Sequence, residues 1–157
     1  MTITLPFEAA ERMREALERA GAAEIGGILM GEHVGEDAFF ISNMTIEGGG
    51  TVATFVRHVR RAIGALRVFF AKTNHRYKTH NYLGEWHSHP SFRPEPSAKD
   101  AASMHEIVTD PTVGANFVVL VIVKLTADRK VDGTATVFLP SGSVFKGNLA
   151  IETAVTI

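Results

Sequence analysis

The chain has 157 residues, of which 45% are hydrophobic, and a formal net charge of −1, so it has the size and composition of one compact domain with a substantial core. The near-neutral charge gives no general attraction to nucleic acid or to an anionic membrane. The chain has no cysteine, which excludes disulfides, iron–sulfur clusters and thiol nucleophiles and restricts any metal site to nitrogen and oxygen ligands. It also lacks a signal-like amino terminus and any apolar run of membrane-spanning length, so we expect a soluble, cytoplasmic protein with no membrane partner.

The first half of the chain predicts two helices and a hairpin. Apolar residues at helical spacing predict a helix over Glu8–Ala20. Two strand-length apolar runs, Ile25–Val34 and Ala38–Ile46, are separated by a short Gly-Glu-Asp turn and predict a β-hairpin. A second amphipathic helix is predicted to end near Lys72, because apolar residues recur at intervals of three and four at Val56, Val59, Ile63, Leu66 and Phe70.

The second half is richer in strands. Its pattern predicts a strand over Tyr82–His89, a helix over Ser97–Val108, two strands over Asn116–Leu125 and Val131–Leu139, and a strand or strand-like tail over Ser143–Ile157. The resulting order αββαβαββ predicts an α/β fold in which a mixed β-sheet is flanked by helices. No internal repeat, linker or low-complexity segment divides the chain, so a single domain is expected over residues 1–157.

Residue types that bind metals concentrate around the strand predicted over Tyr82–His89, called the motif strand below. His87 and His89 lie two residues apart on this predicted strand, so their imidazoles project from the same face. Pro90 should end the strand because it cannot donate to a sheet ladder. Ser97 and Asp100 have the spacing of a helix N-cap and its N3 position, which places Asp100 at the start of the next helix. Two histidines and one carboxylate leave a fourth coordination position open, which is typical of catalytic rather than structural zinc.

Each part of this motif also has a plainer interpretation. Ser97 and Asp100 alone are typical of a helix capping box, and a His-x-His pair in a strand is commonly two ordinary polar side chains. The joint occurrence of all these residues at these spacings is much harder to obtain by chance, so we favour the metal site. Glu85 shares the predicted face of His87 and is a rival proton acceptor, whereas Trp86 should point away from the metal into the core.

The segment His87–Pro90, followed by Ser97 and Asp100, resembles the signature of the JAMM metalloproteases, also called the MPN-plus or JAB family, at every position. The resemblance implies a JAB/MPN domain of cytidine-deaminase-like architecture and one catalytic Zn²⁺ held by the two histidines and Asp100. It also implies an upstream catalytic glutamate, for which Glu24, at the start of Glu-Ile-Gly-Gly-Ile-Leu-Met-Gly, is the expected residue. Glu24 would move a proton from water to the leaving amine, and Ser97 would donate its hydroxyl to the oxyanion.

The resemblance also implies a class of substrate. Similar proteins cleave peptide or isopeptide bonds after the carboxyl-terminal glycines of ubiquitin or ubiquitin-like proteins. This short, cysteine-free chain resembles the stand-alone bacterial members, several of which accompany E1-like and E2-like enzymes in conjugation systems, including antiphage defence. We therefore expect a ubiquitin-like protein and its conjugates as partners, with E1-like and E2-like enzymes of the same operon. The segments Thr73–Asn81 and Ser91–Pro96, on either side of the motif strand, are candidate substrate contacts.

Other functions stay open. A peptidase that processes the precursor of a sulfur-carrier protein would use the same site on the same kind of tail. A non-catalytic MPN-type scaffold would bind partners without metal, although such modules usually lack the ligands that this chain keeps. Nucleic-acid binding is not expected, since the basic residues of the second helix are more typical of a solvated face. No role is assigned to these residues, Arg57, Arg60, Arg61 and Arg67.

Overall fold

The computed structural model of the chain describes residues 1–48 and 55–155, with residues 55–61 described by their backbone alone. Every helix and strand predicted above is present, with ends shifted by a few residues. The elements in chain order are β1 (Thr2–Leu5), α1 (Phe7–Ala20), β2 (Ile25–Gly35), β3 (Ala38–Met44), β4 (Glu47–Gly48), α2 (Phe55–Lys72), β5 (His80–Ser88), α3 (Ala98–Thr109), β6 (Val118–Leu125), β7 (Val131–Phe138) and β8 (Val144–Ile151).

The strands form one mixed sheet in the order β3-β1-β8-β7-β6-β5-β2-β4. An additional pairing of β2 with β3 closes this sheet into a barrel and leaves β4 attached to β2. Strand β1 runs parallel to β3 and β8, and β5 runs parallel to β6, while β2 pairs antiparallel with β5. The predicted mixed sheet with flanking helices is therefore confirmed, and its closure, which removes most free strand edges, is an additional finding.

Two strands were not predicted from the sequence. Residues Thr2–Leu5 alternate polar and apolar side chains, and the apolar pair, Ile3 and Leu5, is completely buried. This alternation is a strand signal, but four residues are too few to distinguish a strand from an irregular amino terminus. Strand β4 has only two residues and follows from its pairing with β2 rather than from any local pattern. The predicted carboxyl-terminal strand ends at Ile151, and residues 156–157 lie outside the described part.

The main core fills the barrel. The amphipathic helix α1 packs its apolar side against the inward-facing residues of the strands. Strand β6 contributes alternate residues to this core, as expected for a strand whose successive side chains face opposite ways. Trp86 is only 1% exposed and belongs to this core, which confirms that it points away from the motif histidines. The α1 residues in this core are Ala10, Met13, Ala16 and Leu17.

Helices α2 and α3 cover the outer face of the sheet. Helix α2 packs Ala62 and Phe69 against β2, and α3 packs on the outward residues of β6. Ile63, predicted to lie on the buried side of α2, is instead 40% exposed, because the side that faces β2 is centred on Ala62 and Phe69. In the sheet, Glu85 of β5 lies between Ile28 of β2, which packs with residues of α2, and Leu120 of β6, which packs with residues of α3. The outward-facing side of β5 at Glu85 therefore lies between the two helices. Among the described residues, no helix has both the length and the apolar composition that crossing a membrane requires.

Candidate metal centre and active site

The carboxyl end of β5 presents the two motif histidines side by side. His87 is paired with Gly26 of β2 and Ile122 of β6, and the backbone N–H of His89 donates to the carbonyl of Val123 (2.9 Å) just beyond the strand. Alternation along this segment puts both imidazoles on the outer face. Their Nε2 atoms are 3.0 Å apart, and the two side chains are 14% and 12% exposed. The predicted pairing of the two histidines is present in the structure.

Asp100 reaches the histidines from the first turn of α3. Its Oδ2 accepts a hydrogen bond from the backbone N–H of Ser97 (2.7 Å), while the Ser97 hydroxyl oxygen accepts one from the backbone N–H of Asp100 (3.1 Å). This capping box holds the carboxylate in one orientation. Asp100 Oδ1 then lies 3.5 Å from His87 Nε2, and Oδ2 lies 3.8 Å from His89 Nε2. The helix cap and the cluster with the histidines therefore coexist, because they involve different contacts of the same carboxylate.

The three side chains form a group that could hold a metal ion. One ligand atom from each of His87, His89 and Asp100 lies within 4.8 Å of the others. No other such group occurs among residues 1–48 and 62–155, whose side chains the structure describes. Tetrahedral zinc with bonds of about 2.0–2.1 Å would separate its ligand atoms by about 3.3 Å. The two Nε2 atoms are 3.0 Å apart, and each lies near that distance from a different Asp100 oxygen, His87 at 3.5 Å from Oδ1 and His89 at 3.8 Å from Oδ2. The donor set and its spacing thus fit zinc.

The loop after β5 orients the second histidine. Nδ1 of His89 lies 3.0 Å from the carbonyl oxygen of Arg93, an acceptor that places the ring proton on Nδ1 and leaves the Nε2 lone pair for a metal. The same loop is held to β7 by a hydrogen bond from the Thr134 hydroxyl to the carbonyl of Pro94. Neither contact could be predicted from the sequence, since a backbone carbonyl and a threonine on a distant strand carry no motif.

The electrostatics of Asp100 keep it ionised. Burial raises the pKa of the Asp100 carboxyl, but hydrogen bonds from His87 and from the backbone and side chain of Ser97 outweigh this effect and lower the pKa to about 2. The side chain is only 5% exposed. At neutral pH the group is therefore a buried carboxylate, which is the form that binds a cation.

Glu24 is brought to the same edge of the site by the pairing of β2 with β5. It immediately precedes β2 and is exposed. The ladder between β2 and β5 ends with Gly26 opposite His87, so Glu24 follows two residues beyond the last pair, at the end of β5 that bears the histidines. Gly26 lies in close contact with β5, because a Cβ there would lie 2.4 Å from the carbonyl oxygen of Trp86, so only glycine fits beside His87. The predicted adjacency of the first long strand and the motif strand is thus present.

Glu85, the rival proton acceptor, is in a different environment. Burial, and secondarily the negative charge of Glu47, raises the pKa of Glu85 to about 8. Its Oε1 has no hydrogen-bond partner among the described residues. Glu85 is therefore a buried and mostly protonated carboxyl at neutral pH, whereas Glu24 lies at the exposed start of a strand. This contrast favours Glu24 as the group that exchanges protons with water.

The two segments predicted to contact substrate lie in different places. Thr73–Asn81 leads into the amino end of β5, the opposite end from the histidines, and several of its residues line a separate cavity of about 580 Å³. The loop Ser91–Pro96 adjoins the histidines. Its Phe92 is 67% exposed and presents its ring edge-on to His89, with ring centroids 6.4 Å apart. Only this loop is placed to contact a substrate at the metal group.

The structure assigns no binding site to the arginines of α2 among the residues whose side chains it describes. The side chains of Arg57, Arg60 and Arg61 lie outside the described residues, and Arg67 is exposed. The expectation that nucleic acid is not a partner therefore stays a prediction.

Comparison with known proteins agrees with this geometry. A profile of the prokaryotic homologues of the JAB domain, Prok-JAB, matches residues 6–136, a range that includes Glu24 and the whole motif from His87 to Asp100. The chain belongs to the Prok-JAB family.

This Prok-JAB chain is 34% identical over 114 residues to a CD-NTase/cGAS isopeptidase of Enterobacter hormaechei subsp. hoffmannii, in an alignment that covers 69% of this chain and 59% of the relative. A CD-NTase/cGAS isopeptidase of Vibrio cholerae serotype O1 is 34% identical over 91 residues, covering 57% of this chain and 58% of the relative. The match thus spans less than two thirds of either relative.

Solved structures share the fold at much lower identity. The solution structure of a Desulfitobacterium hafniense protein superposes with a TM-score of 0.63 at 18% identity, covering 98% of this chain and 94% of the other. A second solution structure, of a Salinibacter ruber protein, has a TM-score of 0.53 at 15% identity and covers 97% and 92% of the two chains. Both likenesses cover nearly the whole chain and concern the fold alone, not the function.

Proposed function

We propose that this chain is a zinc-dependent isopeptidase that cleaves after the carboxyl-terminal glycine tail of a ubiquitin-like protein. The observation that carries the proposal is the meeting of His87, His89 and Asp100, from two separate elements, in one group within 4.8 Å. The Prok-JAB membership and the isopeptidase name of two relatives support the same reaction class.

His87, His89 and Asp100 would hold the ion, with both imidazoles binding through Nε2. A bound zinc ion supplies a Lewis acid at this point and lowers the pKa of water from about 16 toward about 7. Asp100 is already ionised, and the Arg93 carbonyl sets the tautomer of His89, whereas the His87 proton that is hydrogen-bonded to Asp100 would leave Nε2 when this atom binds a cation. The preorganisation of Asp100 and His89 is the protein's contribution to metal binding.

Two further residues would carry the proton and charge transfers. Glu24, exposed at the start of β2, accepts a proton from water and returns it to the leaving amine, which must be protonated to depart. Ser97 donates its hydroxyl proton to the oxyanion that develops on the attacked carbonyl. Its oxygen accepts the bond from the Asp100 N–H, and its proton, which is hydrogen-bonded to the Asp100 carboxylate in the metal-free site, would turn from that carboxylate to the oxyanion.

A glycine tail suits the surroundings of this group. Gly26 has no side chain opposite His87, and β4, next to β2, is the last strand of the sheet among residues 1–48 and 55–155. An extended peptide can pair with such a strand edge, and residues without side chains can approach buried ligands closely. Phe92, exposed beside His89, offers an apolar contact to the preceding part of the tail.

The proposed setting is a bacterial ubiquitin-like conjugation system, with E1-like and E2-like enzymes as partners and antiphage defence as its role. The name of the two relatives, CD-NTase/cGAS isopeptidase, supports a CD-NTase as the protein released from the conjugate. The absence of cysteine is compatible with action in the reducing cytoplasm.

The test uses two reporters built on one ubiquitin-like protein with a diglycine tail. In the first, the tail is joined to a lysine side chain of a fluorescent peptide; in the second, the peptide continues linearly from the tail. The zinc-loaded chain should cleave the isopeptide reporter. Cleavage of the linear reporter alone would indicate a precursor-processing peptidase, such as one for a sulfur carrier, and a zinc-loaded chain that cleaves neither would indicate a scaffold; either result would refute the isopeptidase proposal.

A further inference from the structure

We infer that Ser88, which lies between the two metal-binding histidines, is a positioning residue that sets the location of Glu24. The inference rests on the proposed function, in which Glu24 exchanges protons with water. Neighbouring residues of a strand face opposite ways, so Ser88 points into the barrel while His87 and His89 point outward. Its side chain is completely buried. A buried hydroxyl requires a hydrogen-bond partner, and the partner that it has is what suggests the role.

The Ser88 hydroxyl bonds to the peptide unit of Glu24. Its oxygen accepts a hydrogen bond from the backbone N–H of Ile25 at 3.0 Å. That N–H belongs to the peptide bond between Glu24 and Ile25, which is planar, so fixing it also fixes the Cα of Glu24. The next pair along, Gly26 with His87, is the first in the ladder between β2 and β5. The Ser88 hydroxyl therefore extends the connection of the two strands by one residue, up to Glu24.

Besides the bond to Ser88, the start of β2 is held by the pairing of Ile25 with Gly48 of β4. Glu24 precedes β2, and the residues before it, 21–23, form an exposed turn. On the other side, Ser88 is held through the pairing of β5 with Val123 of β6, next to the strand residues that present the histidines. The bond from Ile25 to Ser88 thus ties the proposed proton acceptor to the strand that carries the metal ligands. A displacement of about 1 Å at a reacting group can cost on the order of 10² in rate.

The structure provides a matched control on the same strand. The Thr45 hydroxyl accepts a hydrogen bond from the backbone N–H of Ile28 at 2.9 Å, which is the same kind of bond, to the same strand, at nearly the same distance. Ile28 lies four residues from Glu24, whereas Ile25 is adjacent to it. Ser88→Ala and Thr45→Ala therefore each remove one hydroxyl that accepts from the backbone of β2. Ser88 is also completely buried and adjoins both histidines, whereas Thr45 is partly buried, so the zinc content of both variants is measured as well.

The experiment compares the two variants with the wild-type chain on the isopeptide reporter. Ser88→Ala should lower kcat by about 10- to 100-fold with KM and zinc content unchanged, because only the placement of the proton acceptor changes. Thr45→Ala should lose a similar amount of thermal stability but keep kcat within about twofold. In the metal-free proteins, amide hydrogen exchange should speed up at Ile25 in Ser88→Ala and at Ile28 in Thr45→Ala, which reports the two bonds without reference to activity.

Three results would overturn the role of Ser88: a wild-type kcat in Ser88→Ala, an equal loss of kcat in Thr45→Ala, or a loss of zinc that parallels the loss of rate. The last would mean that Ser88 supports the histidines rather than Glu24. A wild-type chain that cleaves no reporter would refute the proposed function and this inference together. An active wild type with an equally active Ser88→Ala variant would refute the inference alone.

Discussion

Glu24 and the metal ligands have different parts in the proposed reaction, so substitutions should separate metal binding from proton transfer. Glu24→Gln preserves the shape of the side chain but removes its ability to accept a proton. We expect this variant to bind zinc and melt like the wild type and to cleave no reporter. His87→Ala and Asp100→Ala should lose the zinc as well as the activity, because each removes one of three ligands.

Metal analysis of the purified variants, together with reporter cleavage, checks this separation. Cleavage by Glu24→Gln at the native rate would show that another group takes the proton, and Glu85 would be the next candidate.

Ser97 combines two roles that also make separate predictions. Ser97→Ala removes the side-chain half of the capping box, which should cost about 1 kcal/mol of folding free energy. It also removes the proposed oxyanion donor, which should lower kcat by on the order of 10² to 10³. Ser97→Thr keeps the hydroxyl and is the matched control. If Ser97→Ala lost only stability and kept its rate at a temperature where it is folded, Ser97 would be a helix cap and nothing more.

At the scale of single elements, the motif could be predicted because it is local. The strand β5, the proline-rich loop and the start of α3 are consecutive in the chain, and strand alternation with helix capping places His87, His89 and Asp100 close together. The spacing of Ser97 and Asp100 was compatible with a helix cap and a metal group at once, but which of their atoms form the cap depends on rotamers that no sequence pattern specifies. Nor did the sequence predict the contacts of Arg93 and Thr134, because a bond to a backbone carbonyl is compatible with any residue type at that position.

The buried carboxyl of Glu85 should make the free energy of unfolding depend on pH. Its pKa is raised by burial, and by the charge of Glu47, from 4.5 to about 8, so the folded state binds this proton more tightly than the unfolded state does. Its contribution to stability is therefore complete below the unfolded pKa of 4.5 and is lost as the pH rises through about 8. Glu85→Gln keeps a neutral group of the same shape and should remove this loss.

Denaturant unfolding of the metal-free proteins at about pH 5 and about pH 8 measures the effect. The wild type should lose more free energy of unfolding between these values than Glu85→Gln does. Equal losses in both proteins would mean that Glu85 is ionised, or solvated, in the folded state.

At the scale of the whole molecule, the site depends on pairings between distant parts of the chain. The backbone of Ile25 and the side chain of Ser88 are separated by 63 residues, and Glu24 joins the motif only because β2 lies beside β5. No local pattern encodes such a pairing, so resemblance to a family was needed to suggest Glu24. Closure of the barrel was missed for the same reason: it requires β1 to pair in parallel with β3 and β8, which are far from it in sequence.

The distribution of the core explains how the barrel supports the site. Strand β6 is buried on both faces, by the barrel interior on one side and α3 on the other, and it holds β5 in register through parallel pairing from Gly84 to Ser88. The histidines thus project from a strand whose neighbours are fixed. A site on rigid elements keeps its ligands in place before a metal arrives.

The most direct test of the proposed metal centre is a zinc titration of the metal-free protein. Isopeptide cleavage should be undetectable without metal, rise in proportion to added zinc and saturate at about one zinc ion per chain, as expected for one group of three ligands. His87→Ala should show no such saturation. Full activity in the absence of metal, or a wild-type chain that fails to take up about one equivalent of zinc, would contradict the assignment of His87, His89 and Asp100 as the catalytic metal site.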